Sequence, residues 1–461
     1  MEEKQKLPGR ENKMGVMPVS RLLMSMAVPM IVSMLVQALY NVVDSIYVSR
    51  ISESAVTALS LAFPIQNLQI GFATGIGVGV NALLSKSLGE GNREQVNRAA
   101  GNGILLICIA AVGFLLFGLV GSQPYYAMQS EVEETVSGGA SYTAICCIFS
   151  LGLFVEILGE KLLQSSGRTM YTLYTQGTGA VVNILLDPIL IFGWFGLPEM
   201  GMAGAAVATV IGQWIAAIMA VIFNIKCNPD VKFAWRYLLP RADVIRKILV
   251  VGVPSIIMMA IGSVMNFGMN QIFQSFKNYG ETATGVFGIY FKLQSFFFMP
   301  VFGLNNAAIS IIAYNFGAKR PTRIVGCLRL SVVCVLAVML LGALTFQLMP
   351  QLLLGIFHPT EDFLSIGISA LRIVSLHFPL AAIGIALGAS FQALGNGIYS
   401  TITSLCRQML ALLPAAYLLS LSGNVHLVWW SFPIAEVISL LVTVYFFCRI
   451  YKQKIKPLYQ N

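Results

Sequence analysis

The chain has 461 residues, of which 57% are apolar and only 11% charged, with a formal net charge of +9. Ordinary soluble domains carry about 25% charged residues, so this chain has too little charge to cover a globule in water. Its apolar content is far too high for a disordered or collagen-like chain, and the composition predicts an all-α polytopic membrane protein.

A bilayer core about 30 Å thick takes about 20 apolar residues per helix. By that ruler, residues 1–20 form a polar N-terminal tail of mixed charge rather than a cleavable signal peptide. Twelve transmembrane helices follow, predicted near 21–48, 56–84, 99–121, 141–164, 170–194, 201–224, 248–276, 283–313, 326–346, 367–391, 399–420 and 426–449. The long basic loop 225–247, with Lys226, Lys232, Arg236, Arg241, Arg246 and Lys247, separates an N-lobe (21–224, helices 1–6) from a C-lobe (248–449, helices 7–12). Residues 450–461 form a C-terminal tail.

Lys and Arg concentrate in both tails and the even-numbered joints. The odd-numbered joints hold only Arg50 and Lys277 and collect Glu131, Glu133, Glu134, Glu361 and Asp362. The positive-inside rule then makes both termini cytoplasmic. The same loops account for the net positive charge, so no nucleic-acid partner is expected.

The halves repeat. At an offset of 225, Pro29 falls on Pro254 and Asn41 on Asn266. After a three-residue insertion, at an offset of 228, Gly89 falls on Gly317, Gln164 on Gln392, Gly167 on Gly395 and Tyr171 on Tyr399. An even number of spans per copy makes the repeat parallel, with a V-shaped pair of homologous six-helix lobes and a central interlobe cavity expected. A duplicated channel subunit or a membrane enzyme could share that layout.

Charge at membrane depth is costly and marks candidate functional positions. The N-lobe carries Asp44, Glu156, Glu160 and Asp187, whose repeat partners are Met269, Gly384, Gly388 and Ala415. Ser33, Gln37, Asn41 and Asp44 form one helical stripe on span 1, and Gln176, Asn183 and Asp187 another on span 5. Asp44 and Asp187 lie at similar depth in the outer half, with Thr209 of span 6 near their level. Two facing carboxylates in a low dielectric cannot both ionise easily. The pair can therefore take up a proton, or hold Na⁺ with oxygens of Asn183 and Thr209, and Asn41 joins them as a candidate ion-coupling residue. Each acid could instead hydrogen-bond to hold helices together.

Glu156 is a candidate substrate contact, joined by Gln37, Tyr40, Met269, Tyr290 and Lys292, whereas Glu160 is expected near the interface, paired with Lys161. Lys292, Arg407 and Glu436 would serve interlobe salt bridges equally well. The aromatic and Met residues of spans 7 and 8 either line a greasy pocket or face lipid and neighbouring helices. Pro29 is a candidate hinge, against a fixed packing kink. Gly75, Gly77 and Gly79 read as close helix packing rather than a dinucleotide loop. The chain has no GxxxxGK[ST], so no ATP hydrolysis is expected. The eight cysteines show no CxxC pair and read as buried thiols, and three scattered histidines do not suggest a metal centre.

Two homologous six-helix lobes, Pro29 fifteen residues before Asp44, Asn183-x-x-x-Asp187 and the QxxGxxxY turns at 164–171 and 392–399 together resemble the multidrug and toxic compound extrusion (MATE) family. The resemblance runs from about residue 20 to 450. It implies a non-enzymatic exporter of cationic amphipathic compounds, alternating between inward- and outward-open states in exchange for H⁺ or Na⁺. It also implies a bacterial cytoplasmic membrane protein without a cofactor, working as a monomer with membrane lipid and small cationic substrates as partners. Asp44, Asn183, Asp187 and Thr209 match the family's N-lobe ion positions, whereas spans 7 and 10 hold no carboxylate for a C-lobe site. A flippase for lipid-linked saccharides, for which Lys292 and Arg407 leave room though the four N-lobe acids argue against it, and a channel or non-transporting receptor are the alternatives.

Overall fold

The computed structural model describes residues 12–460 apart from 278, 356, 358 and 359, and the side chains of 41, 42, 45, 49, 53 and 56 lie outside that description. Every element among the described residues is helical. Ten helices are long and apolar enough to span a bilayer. In the N-lobe these are span 1 (Val19–Ser49), span 2 (Glu53–Gly89), span 3 (Arg93–Val120), span 5 (Met170–Phe192) and span 6 (Gly201–Cys227). In the C-lobe they are span 7 (Ala242–Gln274), span 8 (Gly280–Gly317), span 9 (Pro321–Leu348), span 11 (Gly397–Ser420) and span 12, built around Ser431–Ile450.

The remaining two spans are bent pairs. Span 4 joins Glu133–Ile148 to Leu151–Ser165 at 48°, and span 10 joins Glu361–Ser375 to Phe378–Ala393 at 46°. Pro379 accounts for the second bend, because it cannot donate to the preceding turn. Ser150 and Gly152 flank the first. The bends sit at the same place in each half, so counting each pair as one span gives six per lobe. Spans 2 and 8, with 37 and 38 residues, are each about 55 Å long. They outrun the stretches expected from apolarity because their inner ends are polar turns that project past the lipid.

Glycine contacts display the repeat in space. A Cβ on Gly89 would lie 1.9 Å from the Tyr314 carbonyl oxygen, and one on Gly317 would lie 2.0 Å from that of Lys86. Tyr314 and Lys86 are themselves repeat partners, so one crossing of spans 2 and 8 is made twice, reciprocally. Gly75 meets the backbone of Ile256 and Gly303 that of Ile31 in the same reciprocal way, between spans 2 and 7 and spans 8 and 1. Gly167 and Gly395 end spans 4 and 10 with φ of +80° and +74°, and the next amide bonds back five residues, Arg168 to Leu163 and Asn396 to Phe391, at 2.7 Å in both. Only a residue without Cβ adopts that turn cheaply.

These crossings seal the inner ends. Further along, Phe63 and Leu68 of span 2 and Val264 and Phe267 of span 7 are exposed, and the lobes splay apart into a V whose open end lies away from the termini. A turn at Lys13–Val16 closes the inner side further. Asn12 bonds Ser166 of the N-lobe and Asp230 of the interlobe loop at 3.1 and 3.3 Å. Arg323 of the C-lobe donates to the Met14 and Met17 carbonyls at 3.1 and 2.6 Å, Asn315 to Met14 at 3.2 Å, and Arg320 to Gly15. Burial, with Arg168 nearby, holds Lys13 below the usual lysine range. The tail is thus a strap across both lobes.

The outer surface inverts the soluble pattern: Ile109, Leu116, Leu119, Leu341 and Leu344 are exposed, as helices solvated by lipid require. All eight cysteines are free thiols; Cys108 and Cys448 are exposed rather than buried as the sequence suggested, because apolar helix faces here point outward.

Candidate functional site

Span 5 packs between spans 1 and 6, which brings the N-lobe stripe together. Asp44 and Asp187 each lie five residues from the outer end of their helix (49 − 44 and 192 − 187), about 7.5 Å in. Asp187 is fully buried, Asp44 is 9% exposed, and the two carboxylates lie within electrostatic reach of one another. The Asn183 amide satisfies both neighbours when its nitrogen donates to Asp187 Oδ2 at 3.3 Å. Its oxygen then accepts from Thr209 Oγ1 at 3.3 Å and Thr209 N at 3.2 Å. Asp44 Oδ1 is buried with no hydrogen-bond partner among the described residues. A buried charged oxygen left unpaired costs about 1–3 kcal/mol or more, which a proton or a cation removes. The donor set is all oxygen, carboxylate, amide and hydroxyl, and fits a proton or Na⁺. Asn41, the fifth expected member, has its side chain outside the described residues.

Beneath this cluster lies a pocket of about 70 Å³ inside the N-lobe, walled by Gln37, Tyr40, Glu156, Gln176, Asn183 and Thr209 among others. Glu156 and Tyr40 therefore open beside the ion cluster and not into the interlobe space expected for a substrate contact. The reason is depth: Glu160 lies on the same face of span 4, one turn or about 6 Å further along, and takes the seat at the cavity wall. Gln37 lines both spaces.

The interlobe cavity measures about 550 Å³, the size of a drug-binding site. Two polar stripes from the C-lobe form one wall. On span 11, Ser400, Thr403, Ser404, Arg407 and Gln408 recur at helical spacing, and on span 12 Glu436, Ser439 and Thr443 do the same. Residues 406–412 form a π-helical stretch, a local widening that recurs at functional sites. From the N-lobe come Met30, Ser33, Gln37, Glu160, Lys161 and Gln164. Ser33 Oγ, Asn305 Oδ1 and Ser400 Oγ, all lining this cavity, have no hydrogen-bond partner among the described residues.

The structure revises several expectations here. Glu160 is buried and pairs not with Lys161 but with Thr175 and Gln176, which each donate to one of its oxygens at 2.8 Å. Adjacent residues on a helix point about 100° apart, and Lys161 donates instead to Gln164 at 3.0 Å and, across the lobes, to Asn306 at 3.2 Å. Met269 and Tyr290, expected at the substrate, are buried in the C-lobe core; Tyr290 packs on Phe432 and Phe346 with ring centroids 5.7 and 6.5 Å away. Lys292 is exposed and lines neither cavity. Two residues beyond an inward-facing Tyr290, it falls about 200° around the helix. Pro29 sits buried inside the unbroken helix of span 1, one residue before the cavity-lining Met30. Among the described residues no cluster of His, Cys, Asp and Glu could hold a metal by those ligands alone.

A family model described as MatE matches residues 29–189 and 254–418, two segments that begin on the repeat-related Pro29 and Pro254. The chain is 25% identical over 433 residues, 93% of each chain, to a probable multidrug resistance protein, YoeA, of Bacillus subtilis. It is 24% identical to an FAD transporter of Shewanella oneidensis, over 94% of this chain and 95% of that one. With the multidrug export protein MepA of Staphylococcus aureus it shares 23% identity over 93% of both. Among solved structures, a MATE crystal structure in complex with MaL6 superposes with a TM-score of 0.90 at 22% identity, covering 98% of this chain and all of that one. An outward-facing multidrug resistance MATE transporter of the MOP superfamily gives 0.90 at 21%, over 99% and 100%.

Proposed function

The chain belongs to the MatE family, and from that premise we propose that it is an antiporter, coupled to H⁺ or Na⁺, exporting cationic amphipathic compounds from a bacterial cell. The relatives named for multidrug resistance, multidrug export and FAD transport support export of bulky organic compounds over a channel or a receptor. Substrate enters the 550 Å³ cavity from the cytoplasm or inner leaflet while the inner ends are apart. The lobes then rock about the reciprocal crossings of spans 2, 7 and 8, with Pro29 as a hinge in span 1. An external cation reaching Asp44 and Asp187 favours the outward form and substrate release.

Coupling demands that ion and substrate bind the two states with different affinities. The observation that carries the reading is the unpartnered Asp44 Oδ1 beside Asp187, Asn183 and Thr209. That group is expensive when empty and stabilised when a cation arrives, which is what a coupling site requires. Glu156, in the pocket below, would relay the ion's presence toward Gln37 and Gln176 on the cavity wall. The test is dye efflux from proteoliposomes with H⁺ and Na⁺ gradients imposed separately. Wild type should respond to at least one gradient and Asp187→Asn to neither; undiminished gradient-driven efflux in Asp187→Asn overturns the reading.

A further inference from the structure

The cavity wall carries two buried acids and two bases, Glu160 and Lys161 from the N-lobe and Glu436 and Arg407 from the C-lobe. The acids are provided for. Glu160 accepts two hydrogen bonds, and Glu436 has Arg407 beside it. The bases are not. Lys161 has only the neutral amides of Gln164 and Asn306, with no carboxylate within ion-pair distance among the described residues. Arg407 Nη1 stands 3.9 Å from Glu436 Oε2, too far for a hydrogen bond. Among the described residues Arg407 makes no hydrogen bond at all, so a planar fork of five donors opens unused onto the cavity. Its side chain is 33% exposed while that of Glu436 is 6% exposed, so the guanidinium and not the carboxylate is the group presented to a guest.

A guest bearing positive charge alone would meet both cations across an interior of low dielectric, where like charges repel strongly. A guest with an added carboxylate or phosphate would give the guanidinium the planar partner it matches best. We propose that Arg407 forms an anion-receiving subsite, with Lys161 a second cation on the same cavity, so that the compounds this protein binds best are zwitterionic amphiphiles, organic cations that also carry a carboxylate or phosphate. This deepens the export reading above and rests on it for its physiological meaning, but the subsite itself is a binding claim. Ser33, Asn305 and Ser400, unpartnered on the same wall, supply further polar contacts for such a guest.

The test uses rhodamine B, a xanthylium cation with a free carboxylate, and its methyl ester, which lacks that anion. Binding of each dye to the detergent-solubilised full chain is read by fluorescence anisotropy. Wild type should prefer the carboxylate dye about tenfold, Arg407→Gln should erase the preference, and Arg407→Lys should keep part of it. Lys161→Gln should reduce it in the same direction. Equal wild-type affinity for the two dyes, or a loss in Arg407→Gln that is the same for both, overturns the proposal. Efflux of the same dyes from proteoliposomes separates the two readings. Selective binding without gradient-driven efflux would sink export and leave the subsite standing, whereas efflux without selectivity would do the reverse.

Discussion

Spans 5 and 11 hold the same place in the two halves of the repeat, yet span 5 buries Asn183 and Asp187 where span 11 has Ala411 and Ala415. Span 11 instead presents Arg407 and Gln408 to the cavity where span 5 has Gly179 and Ala180. Glu436 of span 12 likewise matches Ala208 of span 6, and Asp44 of span 1 matches Met269 of span 7. In each comparison the charged residue of one lobe faces an apolar or small residue in the other. The reciprocal glycine crossings show the backbone plan kept in both copies. Duplication has therefore preserved the glycine crossings and divided the polar groups: the oxygen cluster of Asp44, Asn183, Asp187 and Thr209 in the N-lobe, and the cavity-facing stripes of spans 11 and 12 in the C-lobe.

That division can be broken by experiment. Neutralising the N-lobe site has the largest expected effect: Asp44→Asn or Asp187→Asn should each cut gradient-driven efflux by about 100-fold, since removing the ion's charged ligand removes the coupling free energy. Next comes the shared seal. Gly89→Ala and Gly317→Ala each drive a Cβ into a backbone carbonyl. Both should raise labelling of a cysteine placed on the inner cavity wall, and by similar factors of roughly five to ten; a large effect at one and none at the other would deny the symmetry. Glu436→Gln frees Arg407 from the acid beside it and should shift dye preference toward the carboxylate form about threefold, with gradient dependence intact. Lys292→Gln, on the exposed face of span 8, should stay within about twofold of wild type in efflux.

The membrane spans and the repeat were legible because lipid tolerates so few sequences: apolar runs, inside charge and matching turns leave little freedom. Asp44, Asn183, Asp187 and Thr209 were legible for the same reason, since a carboxylate at depth is conspicuous. What failed was rotation about helix axes. Met269, Tyr290 and Lys292 were placed at the substrate by residue type, and each turned out to face the C-lobe core or the outer surface. The pairing of Glu160 with Lys161 failed likewise, because neighbours in a helix diverge.

The stripes on spans 11 and 12 had a signal, Ser, Thr and Gln at helical spacing. Ser and Thr are common in membrane helices, bonding the preceding turn as Thr403 and Thr443 do here, so the pattern carried little contrast. The strap at Asn12–Met17 had no signal, because a polar tail without periodicity reads as solvated chain. The Glu156 pocket was invisible for a third reason: its walls come from five helices, and only their packing decides what encloses this stretch of span 4.

The division between lobes is tested most directly by cation release. Dye is added to solubilised protein at saturating Na⁺ or at a fixed proton load, and the ions set free are counted with a sodium electrode and a pH indicator. The account predicts release on dye binding in wild type and in Glu436→Gln, and none in Asp187→Asn. Release that persists in Asp187→Asn, or that vanishes in Glu436→Gln, would place the coupling site outside the N-lobe and contradict it.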